Sequence, residues 1–491
     1  MSNSDRRQFM KVGAAAAIAA VAFPEVMQGA DGESPSKAVT GGVPAPHDVT
    51  RTLARYVVNA RYEDLPANVR REGTRTLLNW VGVAVGGSGH EAVERATSAL
   101  APFSGPKQAS LLGRRDRFDV MNAAFINGVS SHVFDFDDTH LNTAIHPGAP
   151  VMCAILALSE YQPVSGKDFL TALVLGIETE CRIGNAVSPG HRERGWHITG
   201  VTGVFGAAAA AGRILKLSEQ QMIYAFGLAA SQPVGLLESH GSMSKAFIPG
   251  RAGANGLFGA LLASKNFTTA DEMISGKWTW SPAISSKQDY REITEGLGQR
   301  FEAALNTYKP FSCGVYTHPA IDAAIRLRNQ HRLTADQIEA IDLRVNSRVI
   351  DATGIKAPKI GLEGKFSVYH TVAVAIINGA AGEKQFSDQA VLDPQTVLLR
   401  QRVTATIDPA IMRDQVDMTI TLKDGQKLHQ YIEHVVGSVQ APMTDAQLET
   451  KFSDLVNGIL PKARVRQLMD TCWQVERLST ADTIAKAAVP N

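Results

Sequence analysis

Two stretches, Gly200 to Gly212 and Gly253 to Lys265, consist almost entirely of glycine, alanine and apolar residues and lack the Val/Ile alternation of a strand. Side chains this small let helix backbones approach closely, so the chain is expected to build a core of tightly packed helices. Helical periodicity is already present upstream. Val49, Leu53 and Val57 recur at four-residue spacing, and a second pattern runs from Val69 through Leu77, Leu78, Val81 and Val85 to Gly86 and Gly87. Ser218 to Gln221 and Thr269 to Glu272 have the spacing of capping boxes that open further helices. No G-x-G-x-x-G follows a strand pattern, which weakens a dinucleotide-binding reading.

The pattern changes after about residue 305. Thr334 to Gln337 caps a short helix, and Ile341 to Val345, Val403 to Ile407 and Val416 to Leu422 then alternate as strands. Lys423-Asp424-Gly425-Gln426 supplies a hairpin turn into Lys427 to Ile432. Beyond Pro442 the helical pattern returns, with Thr444 to Gln447 as another capping box ahead of Phe452, Leu455 and Ile459. The expected architecture is mainly α: a helical domain formed by residues 48–304 and 441–491, with a smaller α+β domain, residues 305–440, inserted as a lid.

The 491 residues, 44% hydrophobic and 20% charged, are enough for a large core. A net charge of +1 without a basic stripe gives no support to nucleic-acid binding. Cys153, Cys181, Cys313 and Cys472 are widely spaced, which signals neither a zinc ribbon nor an iron–sulfur site. At the N-terminus, Asp5-Arg6-Arg7-Gln8-Phe9 precedes an apolar run from Val12 to Phe23, and residues 1–30 resemble a twin-arginine export signal. Residues 31–47, rich in Ser, Gly and Pro, read as a flexible linker. The expected location is periplasmic, with the cytoplasm as the alternative if the basic segment is only a tail. No stretch approaches the length of a membrane-spanning helix, so no stable membrane insertion is expected.

Four polar clusters interrupt the apolar pattern. Residues 134–148 carry Asp135, Asp137, Asp138, Thr139, His140 and His146; Arg194 to Thr199 contains His197; His240 to Arg251 surrounds Lys245; and Tyr308 to His318 contains Lys309. Charged side chains are rarely buried without a partner or a function, so such density between apolar stretches suggests one site. Lys245, Arg251 and Lys309 could hold a di- or tricarboxylate, while His146 and His197 could move protons near neutral pH, with Asp135 fixing a tautomer. The bland readings are a capped helix end for the Asp cluster, a core histidine for His197 and surface cations for the basic residues. His240 and His318 read as more structural than catalytic, and His132 and His140 are unassigned. A metal site on Asp135, Asp137, Asp138 and His140 is a rival, but the run lacks the glycine and glutamate of an EF-hand. No G-x-S-x-G elbow supports serine hydrolysis.

The blocks D-F-D-D-T…H-P-G, G-W-H-I-T-G, S-K-A-F-I-P-G-R-A-G-A-N-G, K-P-F-S-C-G-V-Y-T-H-P-A-I-D-A and G-K-F-S, in this order, resemble the MmgE/PrpD family from about residue 48 onward. The resemblance implies a helical domain with an α+β lid, a homodimer, and a tricarboxylate-like substrate handled without an iron–sulfur cluster; no cofactor and no metal are expected. Carried over residue by residue, it implies catalytic roles for Asp135, Thr139, His146, His197 and Lys245. Lys309 matches the lysine entering the lid and joins Arg251 and His318 as the expected substrate-binding set. Where the family's cis-aconitate decarboxylases carry a catalytic histidine five residues after that lysine, this chain has Gly314, and their later tyrosine falls near Ile350. The resulting expectation is a dehydratase of a hydroxy tricarboxylate such as 2-methylcitrate. The alternatives are a cis-aconitate decarboxylase-like lyase, an epimerase or isomerase of a related carboxylate, and a non-catalytic periplasmic carboxylate-binding protein.

Overall fold

The computed structural model describes residues 48–490; the export-like segment and the linker lie outside them. The first two periodic patterns form the helices Val49–Asn59 and Ala67–Gly87, with Val49, Leu53, Val57, Leu77, Leu78, Val81 and Val85 all buried. Helices Val120–His132, Gly148–Tyr161, Gly166–Val187, Ile198–Ile214 and Met243–Ala263 complete the central bundle. Its small residues sit where backbones cross: a Cβ on Gly128 would fall 2.4 Å from Gly250 Cα, and one on Gly256 would fall 2.4 Å from the Val204 carbonyl. No larger side chain fits either crossing without moving a helix.

The capping boxes at Ser218 and Thr444 open the helices Glu219–Ala230 and Asp445–Val456, whereas that at Thr334 opens only a single 3-10 turn. Thr269 to Glu272 opens no helix. The Glu272 carboxylate instead accepts from the Thr50 backbone N–H at 3.0 Å and from the Ile274 and Ser275 N–H groups, so it satisfies an N–H at the buried start of the distant helix Val49–Asn59.

Residues between Cys313 and Val435 form a second apolar core. Its sheet has the order Val403–Ile407, Ile338–Val345, Val416–Leu422, Lys427–Ile432; the first pair is parallel and the others antiparallel. Helices His318–His331 and Val368–Asn378 belong to this same core. The chain then returns to the bundle, where Phe452 and Leu455 of Asp445–Val456 lie against Gly82 and Gly86 of Ala67–Gly87. The protein is therefore mostly helical with a smaller mixed α/β region. No helix among the described residues is long and apolar enough to cross a membrane.

Candidate active site

The polar clusters converge because a short strand joins two of them. Asp138–His140 pairs antiparallel with Asn306–Tyr308, which places Lys309 beside the loop that carries Asp135. Asp135 follows the end of Val120–His132 in a left-handed conformation, φ 50°. Its Oδ1 accepts from Lys309 Nζ at 2.6 Å and from Lys245 Nζ at 2.9 Å, while Lys309 also donates to the Asp135 carbonyl at 3.0 Å. Burial would raise the Asp135 pKa, but the two ammonium groups outweigh it and hold the carboxyl well below its ordinary range.

His146, His197 and Lys245 each stand at or near the start of a helix: Gly148–Tyr161, Ile198–Ile214 and Met243–Ala263 respectively. The unpaired N–H groups and dipoles of such termini favour anions, so three helix ends add to the positive field of the lysines. The His146 backbone N–H donates to Thr199 Oγ1 at 3.1 Å, tying two of these ends together.

A cleft between the bundle and the lid is lined by Asp135, His146, His197, His240, Lys245 and Lys309 from the body, with Gly314, Tyr316, Arg348 and Arg413 from the lid. Its empty volume is about 800 Å³, counting the solvent-filled mouth. Among the described residues, five cations line it, Arg192, Lys245, Lys309, Arg348 and Arg413, against the single carboxylate Asp135. That carboxylate is already claimed by two lysines. The excess suits a polyanionic ligand.

Around His146 Nδ1 are the Asp138 carbonyl at 3.0 Å, Thr139 Oγ1 at 3.3 Å and Asp137 Oδ1 at 3.5 Å. A backbone carbonyl can only accept, so Nδ1 carries the hydrogen and Nε2 keeps its lone pair. Burial, then nearby cations, holds His146 well below its ordinary pKa, and the ring is neutral. His197 is likewise held neutral, by burial and then by His240 and Lys245, with Nδ1 buried and unpartnered. His240 stacks on His197 at 5.7 Å between ring centroids, and burial lowers its pKa to about 4. The site thus presents neutral imidazoles beside fixed positive charge, an arrangement that can take a proton next to a carboxylate and stabilise the charge that develops.

Not every expected residue reaches the cleft. Arg251 is exposed on Met243–Ala263 and does not line it, because the helix turns that face outward. His318 is buried behind the wall: its Nε2 donates to the Cys313 carbonyl at 3.3 Å, its ring packs against Phe311, and burial lowers its pKa to about 3. Thr139 does not line the cleft; its Oγ1 lies 3.3 Å from His146 Nδ1. The Cys313 thiol is buried and pushed up to about 12, which makes it inert.

The metal reading also changes. Asp138 turns away to accept from the Gly148 N–H at 2.8 Å and Asn306 Nδ2 at 2.7 Å, and His140 pairs with Glu302 at 3.1 Å. Possible ligand atoms of His132, Asp135, Asp137 and His146 do lie within 4.8 Å of one another. Lys245 and Lys309 already place ammonium groups in that cluster, and their charge opposes a further cation.

Several contributors escaped the sequence reading. His240, for which the sequence suggests a structural role, lines the cleft, as do His191, Arg192, Arg348 and Arg413, which no sequence pattern marks. Lys365, in the G-K-F-S block, is a clamp: its Nζ donates to the Phe134 carbonyl at 2.8 Å, the Ser312 carbonyl at 2.8 Å and Glu383 Oε2 at 2.6 Å, joining lid to bundle. Lys451 is buried and donates to Asn79 Oδ1, the Phe136 carbonyl and the Lys309 carbonyl at 2.8, 2.6 and 2.9 Å. The available signal was a basic residue inside an apolar helical pattern.

Known proteins resemble the chain over most of its length. The chain is 24% identical over 465 residues to the cis-aconitate decarboxylase of Aspergillus terreus, covering 88% of this chain and 94% of that one. It is 26% identical over 458 residues to the cis-aconitate decarboxylase of Mus musculus, covering 89% and 93%. The 2-methylcitrate dehydratase of Cupriavidus necator is 23% identical over 434 residues, covering 80% and 86%. Residues 51–293 match the MmgE/PrpD N-terminal domain and residues 311–475 the MmgE/PrpD C-terminal domain, and the chain accordingly belongs to the MmgE/PrpD family.

Proposed function

We propose that the protein is a cofactor-independent lyase that removes water from a hydroxy tricarboxylate, with 2-methylcitrate as the first substrate to test. The supporting observation is the cleft itself, in which five cations face one neutralised carboxylate beside neutral His146 and His197. Lys309 and the arginines hold the substrate carboxylates, a histidine takes the proton next to one of them, and a second group protonates the departing hydroxide. Incubation with a panel of hydroxy and unsaturated di- and tricarboxylates, followed by proton NMR, tests the reading. Conversion of 2-methylcitrate to an alkene supports it; no conversion of any acid overturns it, and tight calorimetric binding without conversion identifies a carboxylate-binding protein.

The second reading, decarboxylation of cis-aconitate, is favoured by the named activity of several relatives. Against it, Gly314 lines the cleft without a side chain where those enzymes are expected to place a histidine. The same panel separates the two, because decarboxylation releases carbon dioxide and dehydration does not.

Two further parts of the proposal concern the whole protein. It acts as a homodimer, tested by light scattering. It is exported through Arg6 and Arg7, so replacing both with lysine retains it in the cytoplasm on fractionation, and an unchanged distribution would overturn the export reading.

A further inference from the structure

His132 and Asp137 are absent from the cleft wall, yet they connect two groups that form it. His132 Nδ1 lies 2.6 Å from Asp137 Oδ2, and His132 Nε2 lies 2.6 Å from Lys245 Nζ. Both side chains are buried. Asp137 Oδ1 also lies 3.5 Å from His146 Nδ1. Burial would raise the Asp137 pKa, but its interactions with the His132 and His146 rings, the hydrogen bond from His132 among them, and the Lys309 charge outweigh it, so Asp137 is an anion that can only accept. Nδ1 of His132 therefore carries its hydrogen, and Nε2 accepts one from Lys245. Lys245 spends a second N–H on Asp135 Oδ1 at 2.9 Å, which leaves its third for the cleft that it lines.

We propose that Asp137 and His132 are positioning residues that hold Lys245 as the proton donor of the reaction, with its third N–H directed at the group leaving the substrate. The inference rests on the lyase reading. His146 Nε2 takes the proton from the substrate carbon, and the C–H electron pair becomes the new C=C bond. The C–O bond breaks with its pair on oxygen, and that oxygen takes a proton from Lys245 Nζ and departs as water. His146 is left as imidazolium and Lys245 as amine; exchange with solvent restores both. Lys245 faces Asp135, Asp137, Lys309 and His132, with the Phe366 ring 5.5 Å from its Nζ. Burial lowers its pKa, which makes the proton easier to give.

Nitrogen-15 spectra of histidine-labelled protein, with His132 assigned by its loss in His132→Gln, test the arrangement directly. The expected wild-type form is the Nδ1–H tautomer. Asp137→Asn, whose amide can donate to Nδ1, is expected to switch His132 to Nε2–H and to cut kcat by up to about 10⁴-fold, the scale of a misplaced tautomer in a comparable relay. Affinity for tricarballylate, an unreactive tricarboxylate, is expected to stay within about threefold by calorimetry. His132→Gln, whose Oε1 can still accept from Lys245, is expected to retain more kcat than His132→Phe. Both leave the Asp137–His146 contact in place and answer the question even if Asp137→Asn does not fold. An Nε2–H tautomer in the wild type overturns the inference, as does wild-type kcat in His132→Phe. Those results leave the lyase reading intact; a wild type that converts no acid overturns that reading and the chemical step together, while the tautomer is still read from the spectra.

Discussion

Lys309 Nζ lies 2.6 Å from Asp135 Oδ1, and the same oxygen accepts from Lys245 Nζ, so the Asp135 carboxylate separates the two ammonium groups. Removing the carboxylate leaves two buried cations facing each other. Breaking a buried pair in this way costs about 3–5 kcal/mol. Asp135→Ala is therefore expected to lower stability by that amount in urea unfolding, and Lys245→Ala, which leaves Asp135 paired with Lys309, to lower it less.

His146 and Arg251 are expected to behave oppositely. His146→Ala should reduce kcat by about 10²–10⁴-fold with little change in tricarballylate affinity, because the ring moves a proton and does not hold a carboxylate. Arg251→Ala should leave kcat/KM close to wild type, since the residue is exposed and outside the cleft lining. Steady-state rates check both.

Lys451 supports the site from behind by holding the carbonyl of Lys309. Lys451→Met preserves bulk but strips three acceptors of their donor, each worth about 1–3 kcal/mol when left unsatisfied. A loss of at least about 3 kcal/mol in stability and a weaker carboxylate affinity are expected, read by urea unfolding and calorimetry.

The pH dependence has a defined sign at Asp138. Burial, then the neighbouring Asp137 charge, raises its pKa to about 7 from an ordinary 3.8. Between those values the folded state holds a proton that the unfolded state has lost. Stability from this group thus declines as pH rises from about 4 to beyond 7, in total by a few kcal/mol at about 1.4 kcal/mol per pKa unit. Neutral histidines such as buried His191 and half-buried His240, lowered to about 4, act in the opposite sense, losing stability as pH falls below the unfolded value. The difference between wild type and Asp138→Asn isolates the first effect. Asn is expected to gain on the wild type between pH 4.5 and 8, and a constant difference would remove the claim.

Dialysis against EDTA is expected to leave turnover unchanged, because ammonium groups already fill the cluster of His132, Asp135, Asp137 and His146. Loss of activity restored by a divalent ion would replace that view with a metal site.

Periodicity and turn chemistry act over a few residues, and these parts of the structure were legible in the sequence. Val49, Leu53 and Val57 mark a buried helix face, alternation from Val416 to Leu422 marks a strand, and Asp424-Gly425 closes the hairpin where Gly425 adopts φ 88°. Glu272 shows the limit: its spacing from Thr269 fits a local cap, yet the carboxylate goes to Thr50, 222 positions away. Density of polar residues likewise located Asp135, His146, His197, Lys245 and Lys309. It could not tell which of two neighbouring acids faces the cleft, because that depends on strand register and helix rotation.

The amino-acid order by itself determined the helical bundle, the inserted strands and the segments that carry the chemistry, since propensity, apolar period and small-residue crossings are properties of short stretches. Only the tertiary structure decided partners. Two lysines share Asp135, Asp137 reaches His132 and His146, Lys451 holds the Lys309 carbonyl, and Arg251 and His318 stand outside the cleft. Each of these outcomes turns on ångström-scale distances, and several join residues more than a hundred positions apart; burial then converts them into protonation states, because the strength of a charge interaction depends on separation and surrounding medium, neither of which is written in a sequence.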